Sequence, residues 1–169
     1  MKLEPNLWFD EVVKTYHLIS PHIHHTQLVT CPNLNEELDG RFLFKPESLQ
    51  ITGSFKVRGA LSAISRLSKD ELKRGVIAYS SGNHAQGVAH AAKVFNTPAT
   101  VVMPKDAPER KIANARALGA QVIFYDRRTE NREEMSREIA KEKNLVIINP
   151  YDALETIYGQ GTAAYEVIH

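Results

Sequence analysis

The chain has 169 residues, 43% of them hydrophobic and 24% charged, with a formal net charge of +1, which is apolar chain enough for a core and too balanced for a disordered segment. Interspersed charge gives no electrostatic case for nucleic acid or an anionic membrane as the main partner, and apolar runs such as Val101-Val102-Met103 are far too short to span a bilayer. Cys31 is the single cysteine, which excludes an internal disulfide framework or a cysteine zinc site, and Met1-Lys2-Leu3-Glu4-Pro5 lacks the pattern of a secretory signal, so a cytoplasmic location is expected.

In chain order, Asn6 to Ile19 carries Leu7, Trp8, Val12, Val13 and Tyr16 at the spacing of one helical face, and Ser20-Pro21 breaks it. Arg41 to Lys45 alternates like a strand. Phe55 to Leu72 reads as one helix with Val57, Ala60, Leu61, Ile64 and Leu67 on one side. A βα rhythm follows: strands at 75–79, 99–103, 121–125 and 145–148, helices at 83–94, 108–118 and 132–143, and a last helix starting near Gly161. Strands that are apolar throughout, alternating with helices, predict a parallel sheet covered on both faces: an α/β, three-layer αβα arrangement. The final helix stops at His169 with no cap, so a truncated chain is expected.

Function in such sheets gathers in the loops after strand ends, and three segments stand out. In Glu47 to Ala60 a polar loop runs into a helix with Lys56 in its first turn. A helix N-terminus disfavours an ammonium and should lower the Lys56 pKa, and a partly neutral lysine is what imine formation requires; the residue also reads as an ordinary surface lysine. Ser80-Ser81-Gly82-Asn83-His84-Ala85-Gln86-Gly87 lies where a strand turns into a helix, either as an anion seat of free N–H groups or as simple capping by Ser80, Ser81 or Asn83. Asn149-Pro150-Tyr151-Asp152, followed by Gly159-Gln160-Gly161-Thr162, reads as a loop on the same sheet edge. The histidines His22, His24 and His25 have no carboxylate or cysteine at ligand spacing, so no metal site is expected. The charged run from Asp126 to Glu142 reads as a solvated helix face, with Glu134 and Arg137 one turn apart.

Gly53-Ser54-Phe55-Lys56-Val57-Arg58-Gly59-Ala60, followed by Ser80-Ser81-Gly82-Asn83-His84, resembles the fold-type II pyridoxal-phosphate enzymes, in their threonine/serine dehydratase and serine racemase branch. The resemblance runs from about Ile19 to Val167. It implies a tryptophan synthase β-like small lobe plus part of the large lobe, with residues 1–50 in the large lobe, 51–150 in the small lobe and 151–169 returning to the large one. Pyridoxal 5'-phosphate would be the cofactor, bound to Lys56 as a Schiff base, with Phe55 beside its ring and Asn83 on its 3-hydroxyl. Ser80, Ser81, Gly82, Asn83 and His84 would cradle the substrate carboxylate with help from Arg132, and Ser81 would be an acid/base opposite Lys56.

The implied reaction is elimination of water from L-threonine or L-serine, giving a 2-oxo acid and ammonia. Its setting would be amino-acid metabolism, isoleucine biosynthesis included, and the assembly a homodimer or homotetramer. The Phe-Lys-Val-Arg-Gly-Ala form and Tyr151-Asp152 favour a dehydratase; racemisation of serine and a non-catalytic domain are the alternatives. The family pattern continues past His169, where a glycine-rich loop for the cofactor phosphate and a serine or threonine for the pyridine nitrogen are expected.

Overall fold

The computed structural model describes residues 5–80 and 82–169, with side chains from residue 8 onward, so the expected contact of Leu7 lies outside the described residues. Helix α1 (Pro5–Ile19) opens the chain, followed by a small antiparallel ribbon of β1 (Val29–Thr30) and β2 (Leu43–Phe44) flanking α2 (Pro32–Glu37). The strand expected over Arg41 to Lys45 is thus reduced to two paired residues.

The single helix expected from Phe55 to Leu72 is two helices, α3 (Lys56–Ser65) and α4 (Lys69–Arg74). Ser68 breaks it: its Oγ accepts from the Glu71 N–H at 3.3 Å while its own N–H donates to the Glu71 carboxylate at 2.8 Å. This reciprocal cap satisfies two end donors and makes a new start cheaper than continuation. The apolar positions of α3 and α4 fall in one register by accident of spacing, which is why periodicity alone joins them.

The βα rhythm holds. Strands β3 (Val76–Tyr79), β4 (Ala99–Pro104), β5 (Gln121–Tyr125) and β6 (Val146–Ile147) form one parallel sheet in the order β5-β4-β3-β6. The helices α5 (Asn83–Val94), α6 (Glu109–Ala117) and α7 (Arg132–Lys143) follow β3, β4 and β5. Alternate strand residues face opposite layers. Val76, Ala78, Val101 and Met103 join the core under α3, α5 and α6, whereas Ile77, Tyr79 and Val102 pack on Met135, Ile139 and Ala140 of α7. The sheet is therefore covered on both faces, as the apolar strands require. Asn131 caps α7 by accepting from the Glu133 and Glu134 N–H groups. Arg137 pairs with Glu133, at 3.5 Å, rather than with Glu134.

The last helix, α8 (Leu154–Ile168), starts about two turns earlier than expected, so Gly159 to Thr162 is helix and not loop. It packs across α3 and α1. Trp8 meets Tyr158 edge-on at 5.6 Å and Tyr16 lies 4.7 Å from Tyr165. The glycines permit close approach: a Cβ on Gly159 would stand 2.5 Å from the Arg58 carbonyl oxygen and 2.6 Å from the Gly59 Cα. Glycine inside a helix costs up to about 1 kcal/mol, which the contact of α8 with α3 offsets. Gly159→Ala is expected to lower stability by about 1–3 kcal/mol, because backbone atoms and not a flexible side chain stand in the way. An unshifted urea midpoint in that variant would show that the two helices can separate freely.

Candidate active site

Lys56 is the first residue of α3, and its Nζ donates to the Pro150 carbonyl at 2.7 Å. The half-buried side chain has its pKa pulled below the ordinary lysine value by desolvation. The direction matches the sequence expectation, and burial is the cause the structure adds. The Lys56 turn is seated on α5 at Gly87, where a Cβ would come within 3.1 Å of the Lys56 carbonyl oxygen. Phe55 is exposed, its ring centroid 5.4 Å from the Lys56 Nζ.

At the end of β3, the Ser80 hydroxyl accepts from the Gly82 N–H at 3.2 Å. Helix α5 then begins at Gly82 with no side-chain cap from that residue. Ser80 thus braces the turn, and the N–H groups at the helix start are left for another acceptor. Asn83 is exposed at the opening, and its side-chain amide has no hydrogen-bond partner among the described residues. Ser81 lies outside the described residues.

His84 is buried, with Nε2 3.0 Å from the Ile148 carbonyl, so this nitrogen carries the proton and donates. Its Nδ1 has no partner among the described residues, and burial pushes the ring pKa down to about 4. The His84 side chain thereby ties the loop after β3 to the end of β6.

The third segment arrives beside the other two. Pro150 supplies the carbonyl that holds Lys56, and Tyr151 donates through its hydroxyl to Glu133 at 2.9 Å. Arg132, the first residue of α7, holds its guanidinium 5.7 Å from the centre of the Tyr79 ring.

A pocket of about 300 Å³ brings together Lys56, Ser80, Gly82, Asn83, His84 and Arg132, with Tyr79, Lys111, Pro150 and Tyr151 completing its wall. Of the described residues that the resemblance assigns to cofactor or substrate, all but Phe55 are part of that wall. Lys111 was missed, although it stands in the loop-to-helix segment after β4, where the rule about strand ends could have found it. A larger opening of about 480 Å³ lies between residues 51–53, α5 and α6, but no lysine lines it.

The other histidines are dispersed. His22 rests edge-on against Phe95, His24 bonds Gln50, and the His25 ring lies 3.4 Å from the Tyr16 hydroxyl. Among the described residues no group of three or more histidine, cysteine or acidic side chains gathers for a metal ion, and no helix is long and apolar enough to cross a membrane.

The model of the family described as pyridoxal-phosphate dependent enzyme matches residues 19–169. The chain is 44% identical over 160 residues to L-threo-3-hydroxyaspartate ammonia-lyase of Saccharomyces cerevisiae, covering 95% of this chain and 49% of that protein. It is 45% identical over 146 residues to L-threonine ammonia-lyase of Thermotoga maritima, covering 86% of this chain and 36% of that protein. The solved structure of maize serine racemase superposes with a TM-score of 0.90 at 35% identity, covering 94% of this chain and 48% of that one. The chain thus spans half or less of the length of these relatives. A lysine-bearing pocket at the ends of a parallel sheet, and a family match over nearly the whole sequence, place the chain among the pyridoxal-phosphate-dependent enzymes of fold type II.

Proposed function

We propose that the protein acts in the β-elimination of water from L-threonine or L-serine, yielding a 2-oxo acid and ammonia. The observation that carries this reading is the Lys56 amine, half-buried, lowered in pKa and facing the start of α5 across one pocket. The residues present fit pyridoxal 5'-phosphate, the cofactor of the family. Lys56 offers an amine whose charged form burial disfavours, Asn83 an amide without a partner among the described residues, and the atoms nearest the space beside Gly82 belong to the flexible end of Lys111. The bound cofactor supplies an electron sink for the pair left behind when the α-proton departs.

This chain's residues then have separate tasks. The Lys56 Nζ would hold the cofactor, and as a free amine it would take the α-proton and give a proton to the departing hydroxyl. The Ser80–His84 backbone and Arg132 orient the α-carboxylate. Ser81 is the acid/base proposed for the opposite face, and Phe55 packs beside the ring. Serine racemisation is the second reading, and the likeness to maize serine racemase supports it. Tyr151 in the pocket wall leans toward elimination, since by resemblance the racemase pattern has Asn there.

The same reading proposes residues 51–150 as the small lobe, with 1–50 and 151–169 belonging to a larger one. It also proposes a cytoplasmic homo-oligomer working in amino-acid metabolism, isoleucine biosynthesis if threonine is the substrate.

Borohydride reduction of the chain mixed with pyridoxal phosphate, followed by peptide mapping, tests this. The label should fall on Lys56 and vanish in Lys56→Ala, together with the visible absorption band. Equal labelling of the variant, or label spread over surface lysines, would remove Lys56 from the site.

A further inference from the structure

Arg132 carries the charge proposed for the substrate's α-carboxylate, yet no anion holds it in place. It has no ion-pair partner among the described residues. The neighbouring carboxylate, Glu133, is taken up on both oxygens: Oε1 accepts from the Tyr151 hydroxyl at 2.9 Å, and Oε2 faces Arg137 at 3.5 Å. What the Arg132 guanidinium does face is the Tyr79 ring, with its central carbon 5.7 Å from the ring centroid. That ring is fixed from several sides. Tyr79 is the last residue of β3 and is buried in a cluster with Ile77, Val102 and Ala140, with Met135 packed against them. Its hydroxyl donates to the Asn149 side-chain oxygen at 3.5 Å.

The kind of partner has a chemical consequence. A carboxylate beside Arg132 would hold the side chain, but it would also neutralise it and fill the donors a substrate needs. An aromatic face attracts the guanidinium through the ring quadrupole and leaves its N–H edge and full charge free. An arginine without such a seat must give up rotamer freedom at the moment of binding. We propose that Tyr79 is a positioning residue: its ring seats Arg132, so that the guanidinium is ordered and still unneutralised when the α-carboxylate arrives. The Tyr151–Glu133 bond complements the seat by keeping the Glu133 carboxylate occupied. This rests on the reading of Arg132 as a holder of the α-carboxylate, and it adds a residue of β3 that acts through Arg132 and not on the substrate itself.

The test is calorimetric titration of the chain loaded with pyridoxal phosphate, with lactate as a probe that bears a single carboxylate. Tyr79→Leu should weaken lactate binding about 3- to 10-fold, the cost of ordering one long side chain. Tyr79→Phe keeps the ring and should stay within about twofold of the parent. A trifluorinated phenylalanine in place of Tyr79 keeps the outline of the ring but depletes its face, so affinity should fall toward that of Tyr79→Leu even if the leucine variant does not fold. In an Arg132→Met background these substitutions should cost nothing further, which a merely structural role of Tyr79 would not give. Additive losses in the double variants would overturn the seat, as would a loss in Tyr79→Phe equal to that with the fluorinated ring. Lactate binding that no change at Tyr79 weakens, or no lactate binding by the parent chain, would overturn it too. Lactate binding that depends on Tyr79 and Arg132, in a chain that turns over neither L-serine nor L-threonine, would keep the seat and sink the elimination reading.

Discussion

Arg58→Ala is expected to lower the unfolding free energy by about 3–5 kcal/mol, the usual cost of removing one partner from a buried ionic cluster. The Arg58 side chain is wholly buried. Its Nε and Nη2 donate to the Glu47 carboxylate at 2.8 and 2.9 Å, and its Nη1 and Nη2 to the Glu166 carboxylate at 2.7 and 2.9 Å. The Thr162 hydroxyl accepts a further bond at 3.2 Å, and Lys45 reaches Glu166 from the side. Burial works to raise the Glu166 pKa, but hydrogen bonds from Arg58 and Lys45 outweigh it and hold the carboxyl below its ordinary value. Removing the guanidinium leaves two carboxylates with one lysine, which reaches Glu166 alone, in a site water enters poorly.

The guanidinium joins α3, α8 and the turn at Glu47, and it stands two residues after Lys56. Loss of stability should therefore be accompanied by a weaker grip on the Lys56 turn. Urea melts of Arg58→Ala beside Arg58→Lys separate the two roles: lysine keeps the charge but cannot bridge both carboxylates in the planar fork. An Arg58→Ala midpoint within experimental error of the parent would show that the cluster contributes no net stability.

The second large effect is a loss of stability on mild acidification, on the order of 3 kcal/mol between neutral pH and pH 4. It follows from His84, whose folded pKa of about 4 lies below the ordinary value of 6.5. Burial is the main cause; the hydrogen bond to Ile148 opposes it, and the charge of Lys56 adds to it. Because the folded value is depressed, the unfolded chain binds the extra proton first as pH falls. Stability is complete above about 6.5, declines through the window down to about 4, and loses nothing more from this group below that. His90 is also lowered by burial and acts in the same direction. The comparison with His84→Gln isolates the effect: the variant should be less stable at pH 7 but show a much shallower decline toward pH 5. Parallel pH profiles for the two proteins would mean that the ring is solvated or charged in the fold.

The same contact has a functional side. His84 is the step by which β6 sets the position of the loop after β3, so its protonation should loosen the pocket before the fold is lost. Lys56 labelling by borohydride should accordingly fall off at a higher pH than the unfolding transition.

Much of this was legible in the residues themselves. Strands without polar alternation can only be buried on both faces, so Val76 to Tyr79 and Ala99 to Met103 declared a covered parallel sheet before any coordinates. Bounds of α5, β5 and α7 followed from the local alternation of apolar and polar residues, which acts within a few residues of chain. Lys56 and the Ser80–His84 segment were marked by their motif, and their convergence on one pocket was implied by where strands end.

Other features depended on contacts distant in sequence, which no local pattern encodes. Gly159 and Gly161 read as loop because glycine disfavours helix, and only the close approach of α3 and α1 shows why α8 tolerates them. Arg58 looked like one more charge after a lysine. Its two carboxylate partners lie 11 and 108 residues away, and only the packed helices make it a buried cross-link. Lys111 belongs to the pocket because α6 folds back over Gly82. Sequence by itself determined the layers and the order of strands and helices along the chain, since these rest on periodicity, while Lys56 was singled out by the family resemblance of its motif. Tertiary structure alone decided which charges are buried, which helix ends are free and which cations share a pocket, since those energies depend on distance through space.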